Sequence, residues 1–181
     1  MFPQRLRLAH TPTPLARDDR LSAMLGVELS VKRDDATGGA EAGNKIRKLE
    51  FLLHDALERG ARHVVTCGGI QSNHARATAI LARRLGLECT LLLRVTGGAV
   101  SGPERDAAPA ELPLAGNVLL DRLVGARIRT ITPADYARRN ECMMHVSAEL
   151  GGAYVIPEGG SNGLGALGYV EAMREIAEQT R

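Results

Sequence analysis

Tryptophan is absent from the 181 residues, and only two Phe and three Tyr are present. The core must therefore be built from Leu, Val, Ile and Ala, and there is no aromatic platform on which single-stranded nucleic acid could stack. Charge of one sign is also lacking. The net charge is +2 and no run of Lys or Arg occurs, which disfavours a polyanionic partner. Cysteine is scarce and odd in number: Cys67, Cys89 and Cys142 are widely spaced in apolar segments. This excludes a disulfide framework and suits reduced core thiols, and with His63 they make no zinc pattern. No stretch is long and apolar enough to span a bilayer, and "MFPQRLRLAHTPTPL" has no hydrophobic signal core, so a cytoplasmic location is expected.

The scarcest charged residue is lysine. Only Lys32, Lys45 and Lys48 occur among 23 basic residues. Arginine serves wherever solvated positive charge is enough, so the retained lysines invite a chemical explanation. A guanidinium cannot become an amine nucleophile, whereas a lysine can form a Schiff base or act as a base. Two of the three fall in "EAGNKIRKLE", residues 41–50, where Lys45, Arg47 and Lys48 crowd the first turn of an expected helix. The helix dipole puts partial positive charge at that end, so three cations there call for an anion.

With 44% hydrophobic and 24% charged residues, the chain suits one full-sized domain or two small lobes with a real core. Hydrophobic period and punctuation give its elements. "VELSVKRDD" is an extended lead into the polar loop "ATGGAEAG". "NKIRKLEFLLHDALERG" follows as an amphipathic helix, with Ile46, Leu49, Leu52, Leu53 and Leu57 on its apolar face and Asn44 as N-cap. The strand-like "HVVTC", the loop "GGIQ" and the helix "SNHARATAILARRLG" come next, then strand "CTLLLR" and a Gly- and Pro-rich loop from Gly97 to about Pro113, read as a surface insertion rather than a lid. Helix "LAGNVLLDRLVG", strand "RIRTI", helix "PADYARRNECMMHVSAELG", strand "AYVIP" and a helix from about Leu164 complete the pattern. Short apolar runs alternating with helices predict an α/β class: an open parallel sheet with flanking helices. Ligands gather at the carboxyl ends of such strands, where "CGGIQSN" lies.

Lys45 and Lys48, three apart, share a helix face. Lys48 and the free N–H groups of the first turn could hold a phosphate, leaving Lys45 for covalent work, or the turn is a solvated basic helix start. Ser72 sits where an N-cap is expected and could shuttle a proton, while Gln71 and Asn73 supply amide donors near a carboxylate or phenolate; capping alone would also explain the serine. "PEGGSNGLGALGY" reads as a phosphate loop or a hinge. Asp34, Asp35 and Glu41 in "DDATGGAE" lack calcium-loop spacing, so no metal site is expected.

Taken together, "TPTPL", "VKRDDATG", "GNKIRKLEF", "GGIQSNHAR", "AILARRLGL" and "IPEGGSNGLGALGYVEAMREI" resemble, in this order, the D-cysteine desulfhydrase and 1-aminocyclopropane-1-carboxylate deaminase family. These are pyridoxal 5′-phosphate enzymes of the tryptophan synthase β-like fold, fold type II. The resemblance implies that Lys45 bonds covalently to the cofactor and moves the substrate's α-proton, and that Lys48 holds the cofactor phosphate. It puts Asn73 beside the pyridoxal 3′-oxygen, Ser72 close to the substrate as a proton relay, and Gln71 with His74 along the substrate carboxylate.

"QSNH" with "PEGGSN" is similar to the desulfhydrase branch. The implied reaction is elimination of the β-substituent of a D-amino acid, with D-cysteine giving pyruvate, ammonia and hydrogen sulfide; ring-opening deamination or a related sulfo-lyase reaction is the alternative. The resemblance also implies a homodimer. It divides the chain into 1–47, a leading segment of a large lobe with the cofactor lysine; 48–156, a small α/β lobe; and 157–181, a return into the large lobe, whose remainder is absent. An incomplete fragment or interaction module is the rival class. Where the family has a more glycine-rich run, Glu41 stands before Ala42 and Gly43, and its carboxylate is expected to pair with Arg47 or disturb the loop.

Overall fold

The computed structural model describes residues 2–95 and 112–181. The loop expected from Gly97 to Pro113 lies outside the described residues except for its last two positions.

Four strands form one parallel sheet in the order β5-β4-β3-β6: β3 (His63–Gly69), β4 (Glu88–Arg94), β5 (Arg127–Ile131) and β6 (Tyr154–Val155). Between and around them run α2 (Lys45–Glu58), α3 (Asn73–Arg84), α4 (Gly116–Leu123), α5 (Pro133–Ala137), α6 (Arg139–Glu149) and α7 (Gly163–Gln179). Ahead of these, β1 (Leu15–Arg17) pairs antiparallel with β2 (Ser30–Lys32) across α1 (Asp19–Leu25).

Burial is continuous along β3 and β4 because helices cover both faces of the sheet. Alternate residues go to opposite layers, as the strand period of two requires. Val64, Leu91 and Leu93 join Ile46, Leu49 and Leu53 of α2 and Ala75 and Leu81 of α3 in the larger core. Val65, Cys67 and Leu92 meet Met143 and Val146 of α6 in the smaller one. Each fully buried aliphatic side chain contributes roughly 1.5–3 kcal/mol, so these layers fix the sheet's position. Cys67 and Cys89 are buried free thiols, and Cys142 is partly exposed.

Several expectations need correction. Leu57 is 36% exposed, at the edge of the apolar stripe, and not in the core. Asn44 occupies the N-cap position of α2 without capping it: its backbone is already helical, and its amide donates instead to the Tyr169 hydroxyl at 2.6 Å. The expected helix over residues 133–151 is two, broken at Arg138 (φ −105°, ψ 27°) after Thr132 caps a short first segment. Helix α1 has no apolar period to announce it. It is held by its ends: the Asp18 side chain accepts from Leu21 N–H, and Gly26, at φ 68°, closes the last turn onto Ser22.

The chain steps outward from β3 to β4 to β5, then crosses back to place β6 on the other side of β3. The loops leaving β3 and β6 thus diverge, and a crevice opens beyond their carboxyl ends, as happens wherever strand order reverses in such a sheet. The first turn of α2 and the start of α3 face it.

Candidate active site

Of the three cations in the first turn of α2, one is neutralised from within. Arg47 is only 1% exposed and donates to Asp34 through Nε at 3.0 Å, and to Glu175 of α7 through Nη1 at 2.8 Å and Nη2 at 2.9 Å. Burial disfavours its charge, but these carboxylates outweigh it and raise its pKa further. The expected Glu41–Arg47 pair does not form, because Glu41 reaches Arg84 at 2.9 Å. Lys45 and Lys48 have no carboxylate partner among the described residues. Lys48 donates to Ser161 Oγ at 2.9 Å and lies over the Tyr169 ring; burial and the charge of Lys45 lower its pKa. The anion that the sequence calls for is therefore still wanted at these two lysines.

Helix α7 can lie close to them because of its glycines. A Cβ at Gly168 would stand 2.4 Å from the Arg47 carbonyl oxygen, and one at Gly165 2.1 Å from that of Gly160. Part of the glycine richness of "GGSNGLGALG" thus serves backbone contact between α7 and its neighbours.

Lys45, Ser72, Asn73 and His74 line one cleft of about 570 Å³, together with Arg139, Asn140, Glu158, Gly159 and Ser161. Ser72 Oγ accepts from Ala75 N–H at 3.2 Å as the N-cap of α3, and its own proton has no acceptor among the described residues. Gly68 makes room for it, since a Cβ there would fall 2.5 Å from the Ser72 side chain. His74 is 3% exposed and its Nε2 lies 2.9 Å from Thr66 Oγ1. Burial, reinforced by the charges of Lys45 and Lys48 and only partly offset by the Pro157 carbonyl, pushes its pKa down to about 3. It is neutral at physiological pH and brings no positive charge to a carboxylate. Gln71 stands apart from the cleft lining: its Oε1 accepts from Asn117 N–H at 2.8 Å and its Nε2 donates to the Ala115 carbonyl at 3.3 Å, so it serves the start of α4.

Sequence reasoning missed Arg139, Glu158 and Ser161. Arg139 Nε lies 2.6 Å from Glu158 and its guanidinium sits over the Tyr136 ring, while the Tyr136 hydroxyl donates to Glu158. Arg139 and Glu158 of this group line the cleft with Lys45. Its one legible signal was the position of "PEGGSN" after a strand; that this strand lies beside β3 is a matter of topology. Among the described residues no cluster of His, Cys, Asp or Glu could hold a metal ion, and no helix is long and apolar enough to cross a membrane.

Comparison with known proteins shows the family of this fold. The chain is 46% identical over 182 residues to the D-cysteine desulfhydrase of Klebsiella pneumoniae, covering 98% of this chain and 52% of that protein. It is 44% identical over 178 residues to the mitochondrial bifunctional D-cysteine desulfhydrase/1-aminocyclopropane-1-carboxylate deaminase of Arabidopsis thaliana, covering 95% and 42%. The crystal structure of an ACC deaminase homologue superposes with a TM-score of 0.83 at 40% identity, over 98% of this chain and 51% of that one. The chain thus spans about half the length of the curated relatives it matches. The model of one family, described as pyridoxal-phosphate dependent enzyme, matches residues 6–181, and the chain belongs to that family.

Proposed function

We propose that the protein is a pyridoxal 5′-phosphate-dependent lyase that eliminates the β-substituent of a D-amino acid, with D-cysteine as substrate and pyruvate, ammonia and hydrogen sulfide as products. The observation that carries this reading is the Lys45 amine opening on the cleft beyond β3 and β6, beside Ser72 and Asn73. The residues fit a phosphate-bearing aldehyde: two lysines lack carboxylate partners, Ser161 adds a hydroxyl beside Lys48, and the Asn73 amide nitrogen has no acceptor of its own among the described residues.

The cofactor, when bound, supplies the electron sink for negative charge at the substrate's Cα. Lys45 would hold its aldehyde and move the substrate's α-proton. Lys48 and Ser161 would hold its phosphate, as cation and hydroxyl at a helix N-terminus. Asn73 Nδ2 would donate to its 3′-oxygen. Ser72, whose oxygen caps α3 while its proton is uncommitted, relays a proton near the substrate. Gln71 and His74 shape the carboxylate end without charge: Gln71 fixes α4, and the neutral His74 forms a wall. Residues 48–156 act as the small lobe and the flanking segments belong to the large one; the boundary at 47/48 falls inside the continuous helix α2. The reading includes a cytoplasmic homodimer, checked by light scattering and cell fractionation.

D-cysteine is preferred to 1-aminocyclopropane-1-carboxylate because "QSNH" and "PEGGSN" are similar to the desulfhydrase branch, and the Klebsiella relative's name supports it. The test supplies each compound to the protein with pyridoxal 5′-phosphate. Pyruvate with sulfide from D-cysteine supports the proposal, whereas 2-oxobutyrate from the cyclopropane alone replaces its substrate. Lys45→Ala should abolish turnover and the borohydride fixation of cofactor to the peptide bearing residue 45. Fixation persisting at an unchanged level in that variant would sink the assignment.

A further inference from the structure

The amide of Asn73 is the polar group that the reading above aims at the cofactor's 3′-oxygen, and an amide can present either its donor or its acceptor end. Which end faces the cleft is settled by its neighbours. Asn73 Oδ1 accepts from Arg76 Nη1 at 3.3 Å and from Asn117 Nδ2 at 3.1 Å. Arg76 is one turn further along α3, so the two side chains share a helix face. A guanidinium has donors only, and the atom of Asn73 that faces it must be oxygen.

The orientation of Asn117 is forced in the same way. Its Nδ2 donates to the Gln71 carbonyl at 2.8 Å, a group that can only accept, and its Oδ1 accepts from Arg76 Nη1 at 3.2 Å. Arg76 is itself tethered by Nη2 to the Ala42 carbonyl at 2.7 Å in the loop that leads into α2. The Gln71 side chain holds the backbone of Asn117 from the other side. Two groups that cannot be turned around, the Arg76 guanidinium and the Gln71 carbonyl, therefore fix both amides.

We propose that Arg76 and Asn117 are positioning residues that occupy Asn73 Oδ1 and so commit its Nδ2 donor to the cleft. The proposal rests on the cofactor reading above for what that donor meets, but the orientation itself is a property of this chain. Arg76 thereby ties the loop before α2 to the first turns of α3 and α4. The start of α4 thus acts on the cleft although Asn117 is not among the residues lining it.

A donor on the 3′-oxygen favours its ionised form. Losing it should raise the pH midpoint of the bound cofactor's visible absorption by about one to two units, the scale of one hydrogen bond to a charged group. The test titrates that absorption in the pyridoxal 5′-phosphate-loaded protein without substrate. Asn73→Ala and Arg76→Met should raise the midpoint alike, and the double variant should shift it no further than Asn73→Ala alone. Arg76→Lys keeps the positive charge that acts on the buried Asp121 carboxylate of α4 but replaces the planar fork, whose two terminal nitrogens reach Ala42, Asn117 and Asn73, by a single nitrogen; it should shift the midpoint the same way by at least about half a unit, and it serves if Arg76→Met does not fold. An additive double variant, or Arg76 variants at the unsubstituted midpoint while Asn73→Ala shifts it, overturns the proposal.

If Asn73→Ala leaves the midpoint unmoved, or no lysine-bound absorption forms at all, it is the cofactor reading that fails. The orientation is then judged in the cofactor-free protein by NMR of the side-chain amides. Contacts from the Asn73 NH2 protons to Lys45 and not to Arg76, lost in the Arg76 variants, support it. NH2 protons lying against Arg76 in the unsubstituted protein overturn it.

Discussion

Arg47 of α2 and Glu175 of α7 meet head-on, Nη1 to Oε1 at 2.8 Å and Nη2 to Oε2 at 2.9 Å, with both side chains largely withdrawn from water. Lys32 adds a second cation to the same carboxylate at 2.9 Å. Burial opposes the charge on Glu175, but the hydrogen bonds from Arg47 and Lys32 win and leave its pKa at about 2. Glu175→Gln should cost about 2–4 kcal/mol in urea unfolding near neutral pH, because it strips a buried arginine of its bidentate partner. The pair contributes above the ordinary glutamate pKa and is lost as pH falls from about 4.5 towards 2, so the variant and the unsubstituted protein should converge in acid.

His74 gives a second acid dependence in a different window. Its folded-state pKa lies below its unfolded value, so the folded protein resists protonation. The stability associated with the neutral ring is present above about pH 6.5 and is lost as pH falls from there towards 3. Replacing it by Gln should flatten the decline between about pH 6.5 and 4.5, above the range where Glu175 titrates. A decline unchanged in that interval would show that His74 is not its source.

Asp121 has the opposite sign. Its carboxylate is buried in α4 with Oδ1 unpartnered among the described residues, and desolvation, only partly relieved by Arg76, raises its pKa to about 7. The folded state favours the protonated acid, so its contribution is fully present below about pH 4 and is lost as pH rises through 7. Asp121→Asn should therefore raise stability at pH 8 by about 1–3 kcal/mol and bring little change at pH 4. Thermal unfolding at the two pH values checks both halves.

Gly68→Ala tests how closely the end of β3 is fitted to the start of α3. The added methyl would meet the Ser72 side chain at 2.5 Å, displacing both the cap of α3 and the hydroxyl in the cleft. A loss of about 1–3 kcal/mol is expected from overpacking and the weakened cap, and the proposed function predicts a larger fractional loss of D-cysteine turnover than any change in cofactor binding. Gly69→Ala, whose added methyl would meet no atom within 4 Å among the described residues, is the control and should leave turnover within about twofold.

The helices over the parallel sheet were legible because their apolar period is long and unambiguous. Ile46, Leu49, Leu52 and Leu53 repeat at helical spacing, and their burial follows from it. Ser72 was legible as a cap, because the residue that precedes a helix announces itself locally. Helix α1 and the break at Arg138 were not, since short segments held by their ends leave little periodic trace.

The sequence by itself determined the α/β class, the scarcity of lysine and the gathering of Lys45 and Lys48 at one helix start, because these depend on neighbours within a turn or two. Tertiary structure alone decided what each cation meets. Arg47 is drawn to Asp34 and to Glu175, 128 positions away, while Lys45 is left facing a cleft and Lys48 meets the Ser161 hydroxyl at its edge. It also decided that β6 lies beside β3, which brings Ser161 to Lys48, and that Arg76 and Asn117 reach the Asn73 oxygen. The physical reason is the same in each case: partners across a crossover connection are chosen by strand order and helix packing, and no local pattern of residues encodes that choice.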